Sequence, residues 1–239
     1  MRFLILPLLL VLGCADADAP SDGEDAAALP AAPEVPGDLS ALGSPAVETL
    51  VADAPVHVHH VTLAPGDSLA PHQGGERAVY ALSDLDLRLT TDGEADERTF
   101  AEGDVHRHDA GIHAVGNVGA SEARFVVFER VGTLPAAAAE DDTAVPTPGA
   151  GAADEVLLDD DVTEVHRVTL EPGAQLPPHQ GYARAIYALS GYTVEFTGPD
   201  GAREQRFEAG EAHYHDPGDH TVENAGDTVA EFLVVEFKR

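Results

Sequence analysis

The sequence has 239 residues, enough for one large or two ordinary domains, and its 13 basic and 43 acidic residues give a net charge of −30 at pH 7. This charge excludes nucleic acid as a partner, because binding to phosphates needs Lys and Arg side chains that displace counterions. The single cysteine, Cys14, excludes an intramolecular disulfide bond, so packing must stabilise the fold.

The N-terminal segment has the pattern of a secretory signal. Met1 and Arg2 form a short basic start, and Phe3–Leu12 is an apolar run that is too short to span a bilayer. The run leads through Gly13 into Cys14, a pattern that resembles the lipobox of bacterial lipoproteins. The resemblance implies cleavage before Cys14, lipid attachment to it, and anchoring in the bacterial cell envelope, facing the periplasm or the exterior. The alternative is an ordinary signal peptide with an incidental cysteine.

Two segments rich in Ala, Asp, Pro and Gly separate the rest of the chain into units. They contain too few large apolar residues to fold independently, so we predict a tether and an interdomain linker. The predicted organisation is a signal peptide (1–13), a lipidated disordered tether (14–45), a first domain (46–131), a linker (132–154) and a second domain (155–239).

The two predicted domains are copies of one sequence. Residues 56–131 align with residues 163–238 without a gap, and 35 of the 76 aligned positions are identical. Each residue of the first copy therefore has a counterpart 107 positions later. A fixed offset over this length indicates duplication of a domain.

Each copy has the pattern of an all-β unit. Val165–Leu170 alternates between two faces, and Tyr192–Phe196 and Glu231–Phe237 are rich in aromatic and β-branched residues. Gly198–Gly201 has the composition of a hairpin turn, and neither copy shows a sustained helical period. The pattern predicts two units of the size of a small barrel or jelly roll.

Two motifs in each copy resemble those of the cupin superfamily. In the second copy, Gly173 followed by five residues and His179 is similar to the first cupin motif, and the segment from Gly210 through His220 to Asn224 is similar to the second. The matching residues of the first copy are Gly66, His72, Gly103, Gly111, His113 and Asn117. The resemblance implies a bicupin with two tandem double-stranded β-helix barrels. Cupins usually hold a divalent metal through three histidines and a glutamate, and many are dioxygenases, isomerases or decarboxylases.

Both copies depart from this ligand pattern. The second histidine of the first motif is replaced by Gly74 and Gly181. The position of the glutamate is occupied by apolar residues, namely Ala78 or Val79 and Ala185 or Ile186. The metal ligands of the family therefore cannot simply be transferred to this chain.

Additional histidines offer a replacement ligand set. His213 and His215 are two residues apart on a predicted strand, so both imidazoles project from one face. The candidate metal ligands are His72, His106, His108, His113, His179, His213, His215 and His220. Such a set suits Fe, Zn, Mn, Ni or Cu, whereas Mg and Ca prefer oxygen ligands. A further pair, His59 and His166, is predicted to line the same cavities. The alternative is that these histidines are hydrogen-bonded residues of a barrel without metal.

Two further residue pairs are candidates for substrate binding. Arg77 and Arg184 are predicted near the cavity mouth, where a guanidinium would hold a carboxylate with two hydrogen bonds. Tyr80 and Tyr187 recur beside them. The alternative for the arginines is pairing with surface acids in this acidic chain.

Three functions are compatible with the sequence. The first is a metal-dependent enzyme, such as a dioxygenase or isomerase acting on a small organic molecule, as the resemblance implies. The second is a scaffold that binds a metal or small molecule without turnover, which the missing ligands favour. The third is a purely structural pair of barrels. The sequence leaves catalysis and oligomeric state open.

Overall fold

The alternating patterns form strands throughout the computed structural model, which describes residues 35–135 and 148–238. A 3₁₀ helix, Leu39–Leu42, precedes the strands. The strands of barrel 1 are β1 Val47–Val51, β2 Val56–Leu63, β3 Ser68–Gly74, β4 Arg77–Ala81, β5 Leu85–Thr91, β6 Glu94–Phe100, β7 Val105–His108, β8 Gly111–Asn117 and β9 Ala123–Arg130. Those of barrel 2 are β10 Ala152–Asp159, β11 Thr163–Leu170, β12 Gln175–Gly181, β13 Arg184–Ala188, β14 Tyr192–Gly198, β15 Gly201–Phe207, β16 Ala212–His215, β17 Gly218–Asn224 and β18 Ala230–Phe237.

Each barrel consists of two antiparallel sheets. In barrel 1 the five-stranded sheet has the order β1-β2-β9-β4-β7, and the four-stranded sheet has the order β3-β8-β5-β6. Barrel 2 repeats this topology as β10-β11-β18-β13-β16 and β12-β17-β14-β15. The predicted fold, all-β with two tandem barrels, is confirmed. Among the described residues there is no helix long and apolar enough to cross a membrane.

The central strands are buried on both faces, which explains their continuous apolar composition. In β4, Val79 faces the interior of barrel 1, whereas Ala78 and Tyr80 face the opposite way. Successive side chains of a strand point to opposite faces, so one set packs inside the barrel and the other outside it. The core inside barrel 2, around Ile186, follows the same rule.

The outward faces of the two five-stranded sheets pack against each other. Their buried side chains form one apolar cluster that includes Tyr80 and Phe128 of barrel 1 and Tyr187 and Leu233 of barrel 2. An ion pair between Arg107 Nε and Asp160 Oδ2, 2.7 Å apart, joins β7 to the turn after β10. The two barrels therefore share a continuous apolar core, in addition to the core inside each barrel.

The structure moves two of the predicted boundaries. Residues 35–42, assigned to the disordered tether, contain the 3₁₀ helix, and Leu39 is 2% exposed because it packs into the core of barrel 1. At the linker, β10 begins at Ala152, because this segment forms the edge of the five-stranded sheet by pairing with β11. The predicted signal peptide, Cys14 and residues 136–147 lie outside the described part of the chain.

Candidate functional site

Barrel 2 contains a cavity between its two sheets. Its volume, counted as the space open to the centre of a water molecule, is about 70 Å³. One end is lined by Arg184, His179, His220 and Glu236. The strand register places these residues together, because Arg184 of β13 lies opposite Glu236 of β18, and His179 of β12 lies opposite His220 of β17.

The backbone fixes the tautomer of the two paired histidines. His179 Nδ1 donates to the carbonyl of Pro177 at 2.9 Å, and His220 Nδ1 donates to the carbonyl of Gly218 at 3.1 Å. Because a neutral imidazole has one donor and one acceptor, each Nε2 carries a lone pair. The rings lie side by side, with centroids 4.1 Å apart.

A guanidinium reaches one of these lone pairs. Arg184 donates from Nη2 to His220 Nε2 at 2.9 Å and from Nη1 to the carbonyl of Tyr182 at 3.0 Å. No side chain in residues 35–135 or 148–238 hydrogen-bonds to His179 Nε2, which lines the cavity. The site therefore combines a buried cation with a neutral imidazole that can still accept a proton or a hydrogen bond.

Arg184 is 5% exposed. Within the described residues, no carboxylate oxygen lies within 4.0 Å of its guanidinium nitrogens. Burial lowers the pKa of Arg184 to about 10, and the more distant carboxylate of Glu236 only partly opposes this effect. The side chain remains charged at neutral pH, so barrel 2 holds an incompletely neutralised cation at one end of its cavity.

His213 and His215 lie on the same face of β16, as their spacing predicts, and both line the cavity. His213 stacks on Phe207 with ring centroids 4.3 Å apart, and His215 stacks on Phe196 at 5.3 Å. Burial and the charge of Arg184 lower the pKa of His213 to about 4 and that of His215 to about 3.

His220 has the same electrostatic surroundings. Burial, then the positive charge of Arg184, lowers its pKa to about 3. Burial also lowers the pKa of His179. The histidines around Arg184 are therefore neutral at pH 7, and they do not compete with it for an anion.

Gly181 provides the space that Arg184 occupies. A Cβ at this position would lie 2.3 Å from Arg184 Nη1 and 2.9 Å from His220 Cε1. At Gly74, its counterpart in barrel 1, a Cβ would lie 1.0 Å from Arg77 Nη2. The loss of the second histidine of the first cupin motif thus makes room for a guanidinium in both copies.

This arrangement leads to a first prediction. We expect Gly181→Ala to displace the Arg184 guanidinium and to lower the melting temperature, because the new methyl group overlaps a buried side chain. Gly218→Ala is the matched control, since Gly218 pairs with Gly181 in register and a Cβ there meets no atom within 4 Å. Differential scanning calorimetry measures both melting temperatures. Equal values for the two variants would contradict the assignment of Gly181 as the space for the Arg184 guanidinium.

Barrel 1 has the same combination of an arginine and histidines, but its arginine is paired with a carboxylate. Arg77 Nη1 donates to His72 Nε2 at 3.2 Å, and Nη2 donates to Glu129 Oε1 at 3.4 Å. Glu129 is completely buried and also accepts from the backbone of Gly75 at 2.7 Å. Burial lowers the pKa of Arg77, and the charge of Glu129 opposes this shift. The guanidinium is therefore already paired with an anion of the protein.

The remaining candidates of barrel 1 also line its cavity, which is smaller, about 40 Å³. His113 donates from Nε2 to the carbonyl of Asp109 at 2.9 Å, so the lone pair of its neutral ring is on Nδ1. Burial lowers the pKa of His106 to about 3 and that of His108 to about 4. Leu39 of the 3₁₀ helix also lines this cavity.

The structure places Tyr80 and Tyr187, predicted at the substrate site, away from both cavities. Both tyrosines lie in the apolar cluster between the barrels and line neither cavity. Their side chains face away from Arg77 and Arg184, because three positions separate them along a strand and odd separations place residues on opposite faces. The two arginines are inside the barrels, and neither is paired with a surface acid.

The donor set does not fit a transition metal in this conformation. No three His, Cys, Asp or Glu side chains among the described residues form a group that could hold a metal ion. The Nε2 lone pairs of His72 and His220 accept hydrogen bonds from guanidinium groups instead. A metal ligand needs that lone pair, and the adjacent positive charge repels a cation. The histidines predicted as ligands reach the cavities but do not converge.

Sequence reasoning overlooked the acidic members of both clusters. Glu129 and Glu236 are counterparts in the repeat and face Arg77 and Arg184 across paired strands. Both copies have a glutamate at this position, and this identity was the signal in the sequence that could have revealed them. His166 was expected to line the cavity of barrel 2, and it does so between Asp154 and Glu164, at 2.9 Å and 2.8 Å.

Comparisons with known proteins identify the architecture. Residues 166–236 match the family model of the cupin domain. The chain is a pair of cupin barrels in its fold. A search of curated proteins found no match.

Several solved structures share the bicupin arrangement. AerE from Microcystis aeruginosa superposes with a TM-score of 0.60 and 19% identity, over 82% of this chain and 94% of AerE. A structure of oxalate decarboxylase from Bacillus subtilis, determined for its Mn(II) centres, superposes with a TM-score of 0.58 and 15% identity. The match covers 80% of this chain and 75% of the enzyme. A cupin 2 conserved barrel domain protein from Leptotrichia buccalis superposes with a TM-score of 0.50 and 14% identity, over 80% of this chain and 88% of that protein. These identities establish a shared fold, and function has to be argued from the site.

Proposed function

We propose that this bicupin binds a small organic carboxylate in the cavity of barrel 2, with Arg184 as the cation that holds it. The observation that carries the proposal is the buried Arg184 guanidinium, which lines the cavity and contacts no carboxylate of the described residues. A carboxylate ligand would supply the missing charge and accept charge-assisted hydrogen bonds from the guanidinium. The neutral side chains of His179 and His220 lie at the same end of the cavity as Arg184.

The proposal describes a binding module that needs no metal. A metal-dependent dioxygenase or isomerase, the other hypothesis from the sequence, requires imidazole lone pairs that converge on one point. Here guanidinium groups donate hydrogen bonds to the Nε2 lone pairs of His72 and His220. Barrel 1, whose Arg77 is paired with Glu129, serves as the structural copy. One ligand per chain is therefore expected.

Elemental analysis combined with thermal denaturation of the purified full-length protein tests this function. We expect no stoichiometric transition metal, and we expect butyrate or benzoate at 100 times its dissociation constant to raise the melting temperature by roughly 5–10 °C. Sodium chloride at the same ionic strength is the anion control. A bound metal at one equivalent, or no response to either carboxylate, would overturn the proposal.

We also propose that Cys14 carries a lipid that anchors the protein in the bacterial cell envelope, exposed to the periplasm or exterior. The support is the basic start, the short apolar run and the position of the sole cysteine at its end. We expect Cys14→Ala to move the protein from the membrane fraction to the soluble fraction, with its melting temperature unchanged. Mass spectrometry of the mature N-terminus should show acyl chains on wild-type Cys14, and an unmodified cysteine there would refute the anchor.

A further inference from the structure

The cavity of barrel 2 has a charged end and an apolar end. In the five-stranded sheet, the first row of inward side chains across the strands consists of His215, Arg184, Glu236 and Glu164. The next row contains Ile186 and Val234, which lie opposite each other, together with His213 and His166 at its two sides. The third row contains Ala188, Phe232 and Val168. Polarity therefore decreases steadily along the barrel from Arg184.

The four-stranded sheet also places its histidines at the Arg184 end. Its first row is the pair His179 and His220, and the next row contains Leu176, Val222, Phe196 and the exposed Arg203, whose guanidinium lies over the Phe196 ring at 4.8 Å. Two contacts fix the alignment of the sheets. Arg184 bonds to His220 at the charged end, and Tyr192 contacts Phe232 deeper inside, with ring centroids 5.4 Å apart.

The apolar end is closed. Leu170, Ala188 and Ala230, which pack with Phe232 in the core of barrel 2, are each 0% exposed. A volume of about 70 Å³ corresponds to room for about five water-sized groups. A ligand that occupies this space while its head is at Arg184 must place several apolar atoms between Ile186 and Phe232.

We infer that the ligand is a monocarboxylate with a short apolar tail, and that very small or doubly charged acids bind more weakly. This inference rests on the proposed function and adds the ligand class. The carboxylate lies against Arg184, and the tail extends along Ile186 toward Phe232. A second carboxylate at the tail would be buried among apolar side chains without a partner, which is unfavourable.

A series of straight-chain carboxylates tests the ligand class. We expect calorimetric affinity for the full-length protein to rise roughly fourfold per methylene group from acetate to about pentanoate, and then to level off as the cavity fills. Succinate, the dicarboxylate matched in length to butyrate, should bind more weakly than butyrate. Equal affinities along the series would overturn the ligand class and leave the carboxylate site standing. Absence of binding by every acid would overturn both.

Matched variants locate the tail. Ile186→Ser places a hydroxyl on the tail path and should reduce the pentanoate-to-acetate affinity ratio by roughly tenfold, as expected for the loss of two or three buried carbon groups. Val79→Ser is the control, because Val79 is the counterpart of Ile186 in barrel 1 and is equally buried, 5% against 6% exposed. Both variants lose a similar core contact, so stability falls in both. A ratio that changes in neither variant, or equally in both, would refute this position for the tail.

Discussion

Arg184→Gln is expected to weaken carboxylate binding by about 100-fold or more, because charged hydrogen bonds to a buried anion each contribute roughly 1.5–3 kcal/mol. The same change should cost the fold little. Arg184 donates only to His220 and to the carbonyl of Tyr182, and the variant also removes a buried charge that lacks a contacting counter-ion. We expect a loss of about 1–2 kcal/mol in the free energy of unfolding.

Arg77→Gln should have the opposite profile. Its guanidinium is paired with Glu129, which is completely buried, so the variant leaves an uncompensated carboxylate in the core. Breaking a buried pair in this way costs about 3–5 kcal/mol, equivalent to a fall of roughly 6–20 °C in melting temperature. Carboxylate affinity, which resides in barrel 2, should remain at the wild-type value.

The two arginine variants together separate function from stability. They are counterparts in the repeat and equally buried, at 5% exposure, so each controls for the other. Titration calorimetry and thermal denaturation of both proteins give the two readouts. If Arg77→Gln lost binding and Arg184→Gln kept it, the assignment of the ligand to barrel 2 would be wrong.

Acid is expected to unfold the protein near pH 5, above the range in which carboxylates ordinarily titrate. Burial lowers the pKa values of six histidines to between about 3 and about 4, against 6.5 in an unfolded chain. These histidines are His59, His106, His108, His213, His215 and His220. Below pH 6.5 the unfolded chain binds more protons than the folded one, so stability falls as the pH falls.

The slope of stability against pH gives the magnitude. Each such histidine contributes a loss of up to about 1.4 kcal/mol per pH unit between its unfolded and folded pKa values, and a typical domain has only about 5–15 kcal/mol in total. His166 acts in the opposite direction. Although burial disfavours its charge, Asp154 and Glu164 raise its pKa, so its contribution is present at low pH and is lost as the pH rises through the raised value.

Urea denaturation at pH 7.5, 6.5, 6.0 and 5.5 measures this slope. His106→Phe provides an internal test, because His106 stacks on Phe100 and its Nδ1 is buried without a hydrogen-bond partner. The variant should reduce the slope by about 1.4 kcal/mol per pH unit below pH 6. A wild-type stability that is constant from pH 7.5 to 5.5 would contradict the burial of neutral histidines.

Much of the fold could be predicted because the information is local and repeated. Alternation in segments such as Val165–Leu170 identifies strands without knowledge of their partners, and the constant offset of 107 positions requires that both copies fold alike. Domain edges were harder to predict. The 3₁₀ helix at Leu39–Leu42 and the edge strand from Ala152 lie in segments of low complexity, and tertiary contacts order them.

The candidate site was only partly predictable, since strand register decides which side chains meet. The shared face of His213 and His215 follows from spacing within one strand. The contact between Arg184 and His220 spans 36 positions and joins the two sheets of the barrel, so no local pattern reveals it. The same limitation concealed Gly181 as the space for a guanidinium. Tyr187 was misplaced for a different reason, because the alternation rule was not applied across β13.

The central claim is that Arg184 replaces a metal ion as the binding cation. Its most direct test is titration calorimetry of pentanoate into purified full-length protein, with the metal content determined on the same sample. The account predicts one pentanoate per chain in metal-free protein, and an affinity lower by about 100-fold or more after Arg184→Gln. Binding that requires an added transition metal, or that keeps its wild-type affinity in Arg184→Gln, would contradict it.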